Sequence, residues 1–293
     1  MRRSRLFLYL CLGLAAQLST VHAQDSQEPT ESVEAAAGEV AQVTSPTRSE
    51  RQEQALRALT PIAEQRQLEV GDDIYLGLFL AAAQPRPRGG ILLIADRNEH
   101  ADWPELVGPA RRKLSTLGWH TLSISLPNAP TGVPNLEESV RIELATQREA
   151  LATRRINAAA QALAAEGSEV LVILGRGEGA FWALHATSST AEPSVDADAL
   201  ILYQTRPPLG VDSSETRIEE LLAQWKKPVY DIFNGQHEAN KNRAHKHELD
   251  ARRQGNIQYQ QLVLPQQDQS ALGQQMLVKR LQGWLNKAVA QQP

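Results

Sequence analysis

The stretch Leu174-Gly175-Arg176-Gly177-Glu178-Gly179-Ala180 decides the fold, because it joins the pattern of a buried strand to the pattern of a helix. An uninterrupted apolar run, Val170–Leu174, leads into it, and Phe181, Trp182 and Leu184 follow it. A short apolar run bounded by turn residues is typical of a buried strand, and glycines let the chain bend sharply from a strand into a helix. The stretch therefore predicts a strand, a tight turn and a helix.

The same alternation of apolar strands and helices continues on both sides of this turn. After a break rich in proline and glycine at Pro85–Gly90, the predicted strands are Ile91–Ala95, His120–Ser125, Val170–Leu174, Ala199–Tyr203, Val229–Phe233 and Ile257–Leu264. Near-continuous apolar strands separated by helices are typical of a parallel sheet that is covered on both faces. The fold class is therefore α/β, with a mostly parallel central sheet flanked by helices.

The segments around this sheet give further predictions. Leu68–Ala82 has two alternating runs joined at Gly71-Asp72, which predicts an N-terminal antiparallel hairpin, and a short helix is predicted over Arg51–Gln65. The Ala-rich, charged stretch Asn135–Glu166 predicts either two helices or one long helix that projects past the sheet. Helices are expected to stop at Gly118, Gly167 and Gly255.

The N-terminus has the pattern of a signal peptide. Three of the first five residues are arginine, Leu6–Leu18 is mostly apolar, and Val21-His22-Ala23 offers a cleavage site between small residues. The apolar run is shorter than the roughly 20 residues that a membrane-spanning helix needs. We therefore expect residues 1–23 to be removed on export, which leaves a protein without a membrane span. We expect that protein to be located in the periplasm.

The rest of the chain divides into a leader and one domain. Residues 24–48 are rich in Ser, Thr, Glu, Pro and Ala and poor in large apolar side chains, so they predict a disordered leader. Residues 49–293 are then one domain. Removal of the signal leaves 27 basic and 34 acidic residues, a net charge of −7, which argues against binding nucleic acid. The one cysteine, Cys11, leaves with the signal, so the mature protein has no disulfide or thiolate chemistry.

The turn resembles the nucleophile elbow of the α/β-hydrolase superfamily. The elbow pattern is G-x-S-x-G, and the corresponding residues here are Gly175-Arg176-Gly177-Glu178-Gly179. The resemblance extends from about Leu68 to Leu285. It is closer still to a family of exported bacterial proteins of unknown function, through Gly118–Pro127, the turn itself and Gly283–Leu285. It implies an α/β-hydrolase-like fold and no established activity.

This resemblance also implies where a catalytic triad would lie, and two of its three positions are empty. Gly177 stands at the nucleophile's position and has no side chain that can attack a substrate. The acid would follow Val229–Phe233, where Glu238 is available, and the histidine would lie in Pro265–Gln269. No histidine follows His247 in the chain. We therefore expect no catalytic residue of the serine-hydrolase type.

The loop after the first parallel strand also departs from the superfamily. A His-Gly pair is common there, whereas this chain has Ala95-Asp96-Arg97-Asn98, and a carboxylate would disfavour a developing oxyanion. Alternatively, Asp96 pairs with Arg97 or caps a turn. Glu178 is open to two interpretations as well, as part of a polar site with Arg176 or as an acid that favours the helix dipole.

Gly175, Gly177 and Ala180 also match the dinucleotide-binding pattern G-x-G-x-x-G/A. That site needs an acid at the end of the next strand to hold the ribose, and this strand ends in Tyr203-Gln204-Thr205. We expect no cofactor.

A histidine cluster raises the question of a metal site; it comprises His237, His245, His247 and Glu248. The spacing matches no closed zinc pattern, and a solvated, charged helix explains these residues. We expect no metal.

The leading hypothesis is an exported, non-catalytic α/β-hydrolase-like protein that binds a small ligand or an envelope protein. Its candidate binding site comprises Asp96, Arg97, Arg176, Gly177, Glu178 and Glu238. His100, Asp102 and Trp103 follow the first parallel strand and are expected near the same mouth. Two alternatives stay open: an unconventional esterase-like hydrolase with a carboxylate-activated water, and an envelope scaffold that uses the Asn135–Glu166 helix.

Overall fold

Eight strands form one sheet in the computed structural model, which describes residues 46–129, 135–208, 214–265 and 269–290. In chain order, the strands are β1 (Gln65–Val70), β2 (Asp73–Leu80), β3 (Gly90–Ile94), β4 (His120–Ile124), β5 (Leu171–Arg176), β6 (Ala199–Tyr203), β7 (Val229–Asn234) and β8 (Tyr259–Leu264). Their spatial order is β1-β2-β4-β3-β5-β6-β7-β8. β2 pairs antiparallel with β1 and β4, and the remaining neighbours are parallel.

Helices cover both faces of this sheet. They are α1 (Arg48–Leu59), α2 (Val107–Thr116), α3 (Glu138–Ala165), α4 (Glu178–Ala186), α5 (Ser214–Gln224), α6 (Glu238–Arg253) and α7 (Ala271–Ala290), with a short 3-10 turn at Ile62–Glu64. α3, α4 and α5 pack into one apolar core, and α2 and α7 pack into a second core on the opposite face. Every residue of β3, β4 and β6 is buried. The predicted α/β class, with its antiparallel N-terminal hairpin, is confirmed.

Two helix predictions are resolved by the structure. Asn135–Glu166 contains one helix of 28 residues, α3, rather than two. The prediction for Arg51–Gln65 was wrong at both ends, because α1 begins at Arg48, after a capping box at Thr47, and ends at Leu59. Pro61 explains the early end, since a residue before proline disfavours the helical conformation. Arg48, assigned to the leader, therefore belongs to α1.

The N-terminal predictions fall largely outside the described residues. The signal peptide at residues 1–23 and the leader up to residue 45 lie there, so both stay predictions. Contacts within the chain group Ser45–Pro293 into one unit. In the part of the chain that the structure describes, no helix combines the length and the hydropathy needed to cross a bilayer.

The turn between β5 and α4 depends on glycines on both sides of Gly177. A Cβ at Gly175 would overlap the backbone of Ala180, which lies in the first turn of α4. A Cβ at Gly179 would lie 2.5 Å from the carbonyl oxygen of Ala95 and 2.6 Å from that of Ile94. These backbone atoms cannot move without disturbing β3. The flanking glycines therefore let the helix pack directly against the strands, as the elbow pattern predicts.

We expect Gly179→Ala to lower the free energy of unfolding by about 3 kcal/mol, because the added methyl group meets strand backbone. Gly283→Ala is the matched control, since Gly283 lies inside α7 with no atom near a new Cβ. That control is expected to stabilise the protein by about 0.5–1 kcal/mol through helix propensity. Urea denaturation measures both. Equal effects of the two substitutions would contradict the packing argument.

Candidate functional site

A cavity of about 330 Å³ opens at the carboxyl edge of the sheet, beside the turn between β5 and α4. Its walls include Asp96, Glu99, Trp103, Arg176, Tyr203 and Arg206. In open α/β sheets, ligands bind outside the carboxyl ends of the strands. This cavity is therefore the candidate functional site.

The strand register brings Asp96 and Gly177 to the same level. β3 and β5 are parallel neighbours, and Ile94 pairs with Gly175, so the residues two positions further along each strand emerge side by side. Gly177 has φ +57° and ψ −118°, and its N–H donates to the carbonyl of Tyr203 at 2.8 Å. The turn thus keeps the positive-φ geometry expected of a nucleophile elbow.

The carboxyl group of Asp96 fills the space above Gly177. If a Cβ were added to Gly177, its three nearest neighbours would be Cγ, Oδ1 and Oδ2 of Asp96, all in overlap. A nucleophile's side chain would extend from Gly177 into this same space. The position is therefore closed as well as lacking an attacking atom.

Asp96 also occupies the oxyanion hole of the fold. Its Oδ1 accepts hydrogen bonds from the backbone N–H of Arg97, at 2.7 Å, and of Glu178, at 2.8 Å. In α/β-hydrolases, the hole is formed by the N–H of the residue after the nucleophile and an N–H from the loop after β3. Arg97 and Glu178 hold those two positions. The sequence interpretation placed a carboxylate beside the hole, and the structure places it inside.

Two arginines neutralise the other carboxylate oxygen. Oδ2 of Asp96 pairs with Nη2 of Arg206 and lies 3.6 Å from Nη1 of Arg176. The backbone N–H of Arg206 also donates to the carbonyl of Gly177 at 3.0 Å, which ties the loop after β6 to the turn. Asp96 is only 2% exposed. A carboxylate so deeply buried requires this complement of donors and positive charge.

Arg176 is surrounded by acids. Its guanidinium pairs with Glu99 and, at 2.6 Å, with Oε2 of Glu105. Glu99 also accepts the backbone N–H of Asp96 at 3.1 Å. Burial raises the pKa of Glu99 to about 7, although the charge and hydrogen bonds of Arg176 oppose this shift. Glu99 is therefore a carboxyl group that titrates near neutral pH at the wall of the cavity.

Glu178 and Glu238 are two candidate residues whose side chains do not line the cavity. Glu178 is 1% exposed, pairs with Arg148 and accepts the indole N–H of Trp182 at 2.9 Å, so its side chain belongs to the core around α3 and α4. Glu238 begins α6, and its side chain is 74% exposed and pairs with Lys241 at 3.1 Å. Both were expected at the mouth. The side chain of one is buried beneath the site and that of the other faces solvent.

Of the other candidate residues, some line the cavity and some do not. Asp96, Arg176 and Gly177 line the cavity. Arg97 contributes its backbone N–H, while its guanidinium lies 3.3 Å from Glu178 rather than pairing with Asp96. Of the three further residues expected near the mouth, Trp103 lines the cavity, and Asp102 pairs with Arg112 instead.

Sequence reasoning missed Glu99, Tyr203 and Arg206. A usable signal existed for Arg206 and Tyr203, because they come at the end of β6, which neighbours β5, and polar groups after adjacent parallel strands meet at one edge. Glu99 lies only three residues beyond Asp96, in the loop that was recognised. Its importance depends on a contact with Arg176 that sequence spacing does not reveal.

No histidine among the described residues lines the cavity. His247 is 1% exposed, and its Nδ1 lies 2.9 Å from Oδ2 of Asp231, which also accepts the hydroxyl of Tyr259 at 2.8 Å. The prediction of a fully solvated helix was therefore wrong at His247, whose ring packs under α6. Among the described residues, no cluster of three or more His, Cys, Asp or Glu side chains is placed to hold a metal. The expected histidine position at Pro265–Gln269 falls partly outside the described residues, at 266–268.

We expect Gly177→Ala to lower the free energy of unfolding by about 3 kcal/mol or more. The new methyl group overlaps Asp96, and the alanine must adopt a positive φ. In an Asp96→Ala background, where the overlapping atoms are gone, the same change should cost only about 1–2 kcal/mol. A double-mutant cycle by urea denaturation measures this coupling. Additive effects would show that Asp96 does not fill the space above the turn.

Glu99 should make the protein less stable as the pH rises through the window between its two pKa values. It ionises near 4.5 in the unfolded chain and near 7 in the folded protein, so the folded state holds the proton more tightly between these values. The free energy of unfolding then falls with rising pH. Glu99→Gln removes this loss, and its stability relative to the unsubstituted protein should improve by on the order of 1–2 kcal/mol between about pH 5 and pH 7.5.

Urea denaturation at both pH values measures the change, with Glu238→Gln as a control at an exposed carboxyl group. A relative stability of Glu99→Gln that stays constant or falls with rising pH would contradict the assignment.

Several solved structures with titles that name hydrolases are similar to this fold. Est1E from Butyrivibrio proteoclasticus is 12% identical, with a TM-score of 0.55 over 78% of this chain and 100% of that one. An esterase from Pyrococcus furiosus is 11% identical, with a TM-score of 0.55 over 77% and 90%. A dienelactone hydrolase-like promiscuous phosphotriesterase from metagenomic libraries is 14% identical, with a TM-score of 0.53 over 76% and 97%. These likenesses confirm an α/β-hydrolase-like fold and, at such low identity, carry nothing beyond it.

Comparison of sequences identifies a family. No curated protein matches the chain. The model of the family described as "Protein of unknown function (DUF3530)" matches residues 4–153 and 137–287, which together span nearly the whole sequence. The chain therefore belongs to the DUF3530 family, whose domain in this protein has an α/β-hydrolase-like fold.

Proposed function

We propose that this protein is an exported, non-catalytic α/β-hydrolase-like protein that binds a small ligand in the cavity beside Asp96. One observation carries the proposal: the carboxylate of Asp96 lies above Gly177 and accepts both N–H groups of the oxyanion hole. An acyl-transfer reaction needs a nucleophile and an unoccupied hole at this point.

Three independent features support the absence of elbow chemistry. Gly177 carries no attacking atom, the hole holds an internal anion, and no histidine follows His247 to serve as a base after β8. The esterases with similar structures act through their own residues, and their activities are not carried over to this chain.

Ligand binding is favoured by the cavity itself. A volume of about 330 Å³ lies at the lower end of the range for small-molecule sites. Its wall combines two aromatic side chains, Trp103 and Tyr203, with convergent charged groups. Most of the wall is charged or polar, and these two rings supply its aromatic surface, so the cavity suits a small polar ligand. Export to the periplasm and binding of an envelope protein stay predictions from the sequence.

A second candidate is a hydrolase in which a carboxylate activates water. The observation that favours it is the pKa of about 7 at Glu99, which suits a general base at neutral pH. Glu178 and Glu238, the carboxylates that the sequence placed at the mouth, do not line the cavity. Glu99 does.

Residues 24–293, assayed against short-chain and long-chain p-nitrophenyl esters, are expected to give turnover no faster than buffer. A serine-directed fluorophosphonate is expected to leave no covalent adduct by intact-protein mass spectrometry. Turnover that disappears in Glu99→Gln, with folding checked by circular dichroism, would replace this proposal with the water-activating hydrolase. An adduct on any side chain near Gly177 would contradict both.

A further inference from the structure

We propose that Asp96 is an internal substitute for the carboxylate of a ligand, and that a small monocarboxylate binds by taking its place. This inference rests on the proposed function and deepens it, because it names the chemical class of the ligand. The acid would accept the N–H groups of Arg97 and Glu178 and pair with Arg206, and its body would occupy the cavity.

The donors form a site that does not depend on which molecule supplies the carboxylate. They come from three separate segments: the loop after β3 supplies the N–H of Arg97, the start of α4 supplies the N–H of Glu178, and the loop after β6 supplies the guanidinium of Arg206. Each segment is held by the sheet. For a ligand to bind here, the Asp96 side chain must rotate away and uncover the two N–H groups. The carboxylate of the ligand then takes the place of the Asp96 carboxylate, and the donors again face one negative charge.

The adjoining cavity fits the body of a small acid. Gly177 separates the hole from the cavity without a side chain, and Trp103 and Tyr203 provide aromatic wall. The indole Nε1 of Trp103 is buried and has no hydrogen-bond partner among the described residues. The Nε of Arg176, at the end of β5, is also buried and has no hydrogen-bond partner among the described residues. Each atom belongs to a residue of the cavity wall and would gain a partner if a polar group of a ligand reached it.

The neighbouring acids restrict the ligand to a single charge. Glu105 and Glu99 already pair with Arg176, so its guanidinium offers little to a second anion. A dicarboxylate would bring its second charge close to these side chains and be repelled. An aromatic or aliphatic monocarboxylate of modest size fits the cavity and carries a single negative charge.

The internal carboxylate must weaken binding in the unsubstituted protein. Asp96 is attached to the site and competes with any free acid, so only the fraction of molecules with Asp96 displaced can bind. Removing this competitor should therefore strengthen the binding of acids and leave neutral analogues unaffected. That difference separates exchange at the hole from general binding to the cavity.

Isothermal titration calorimetry of residues 24–293 with benzoate, benzamide and phthalate tests the exchange. Asp96→Ala is expected to bind benzoate about tenfold more tightly, or better, than the unsubstituted protein, and Asp96→Asn, whose amide oxygen can still accept the two N–H groups, is expected to gain less. Benzamide should show no such gain, and phthalate should bind more weakly than benzoate. Arg206→Gln added to Asp96→Ala should abolish most of the gain. Asp196→Ala, which removes an exposed carboxylate paired with Lys227, should behave like the unsubstituted protein.

Two results would overturn the inference: folded Asp96 variants that bind benzoate no more tightly than the parent, or an equal gain for benzamide. If Asp96→Ala unfolds in dilute buffer, benzoate should restore its circular dichroism spectrum and benzamide should not, and failure of this rescue counts against the exchange. Ester turnover by the parent protein would overturn the proposed function but leave the benzoate comparison valid. The two ideas therefore fail separately.

Discussion

A buried carboxylate held by two backbone N–H groups organises the carboxyl edge of this sheet. Asp96 bonds to the N–H groups of Arg97 and Glu178, and Arg206 compensates its charge from the loop after β6. Loss of the carboxylate would leave two buried donors unpaired and a guanidinium without its partner, a combination that usually costs several kcal/mol. The contact therefore holds three loops in one arrangement.

The fold keeps the geometry of a nucleophile elbow, with glycine at its central position. Glycines at 175 and 179 still allow α4 to approach β3, and Gly177 still has φ +57°. Glycine tolerates this conformation at little cost, so the backbone does not need catalysis to justify it. What distinguishes the site from that of an esterase is the identity of the anion in the hole. Here it is supplied by the protein itself.

The parallel part of the sheet could be predicted from the sequence, because β3 and β6 are apolar over nearly their whole length and each strand from β3 to β8 is followed by a helix. The absence of a nucleophilic side chain at Gly177 could also be predicted from the sequence. The role of Asp96 was not, since it depends on β3 and β5 being neighbours in a fixed register, which places residues 81 positions apart side by side. Glu178 was misplaced for the opposite reason. Its backbone reaches the site, but its side chain turns towards Arg148 and Trp182, a choice made by packing against α3.

Polar residues in helices show the same limit. His247 sits in a segment as charged as any in the chain, yet one face of α6 turns inward and buries it against Asp231. Composition describes a helix as a whole, whereas burial is decided one face at a time. The end of α1 before Pro61, by contrast, could be predicted from the sequence.

The overlap between residues 96 and 177 also makes these two positions depend on each other. Any side chain placed at position 177 meets the carboxyl group of Asp96, so a single substitution there produces a clash unless the aspartate is replaced as well. Replacing the aspartate alone leaves the N–H groups of Arg97 and Glu178 without their acceptor. Each single change is therefore expected to cost stability, and the two positions tolerate change most easily when both change together.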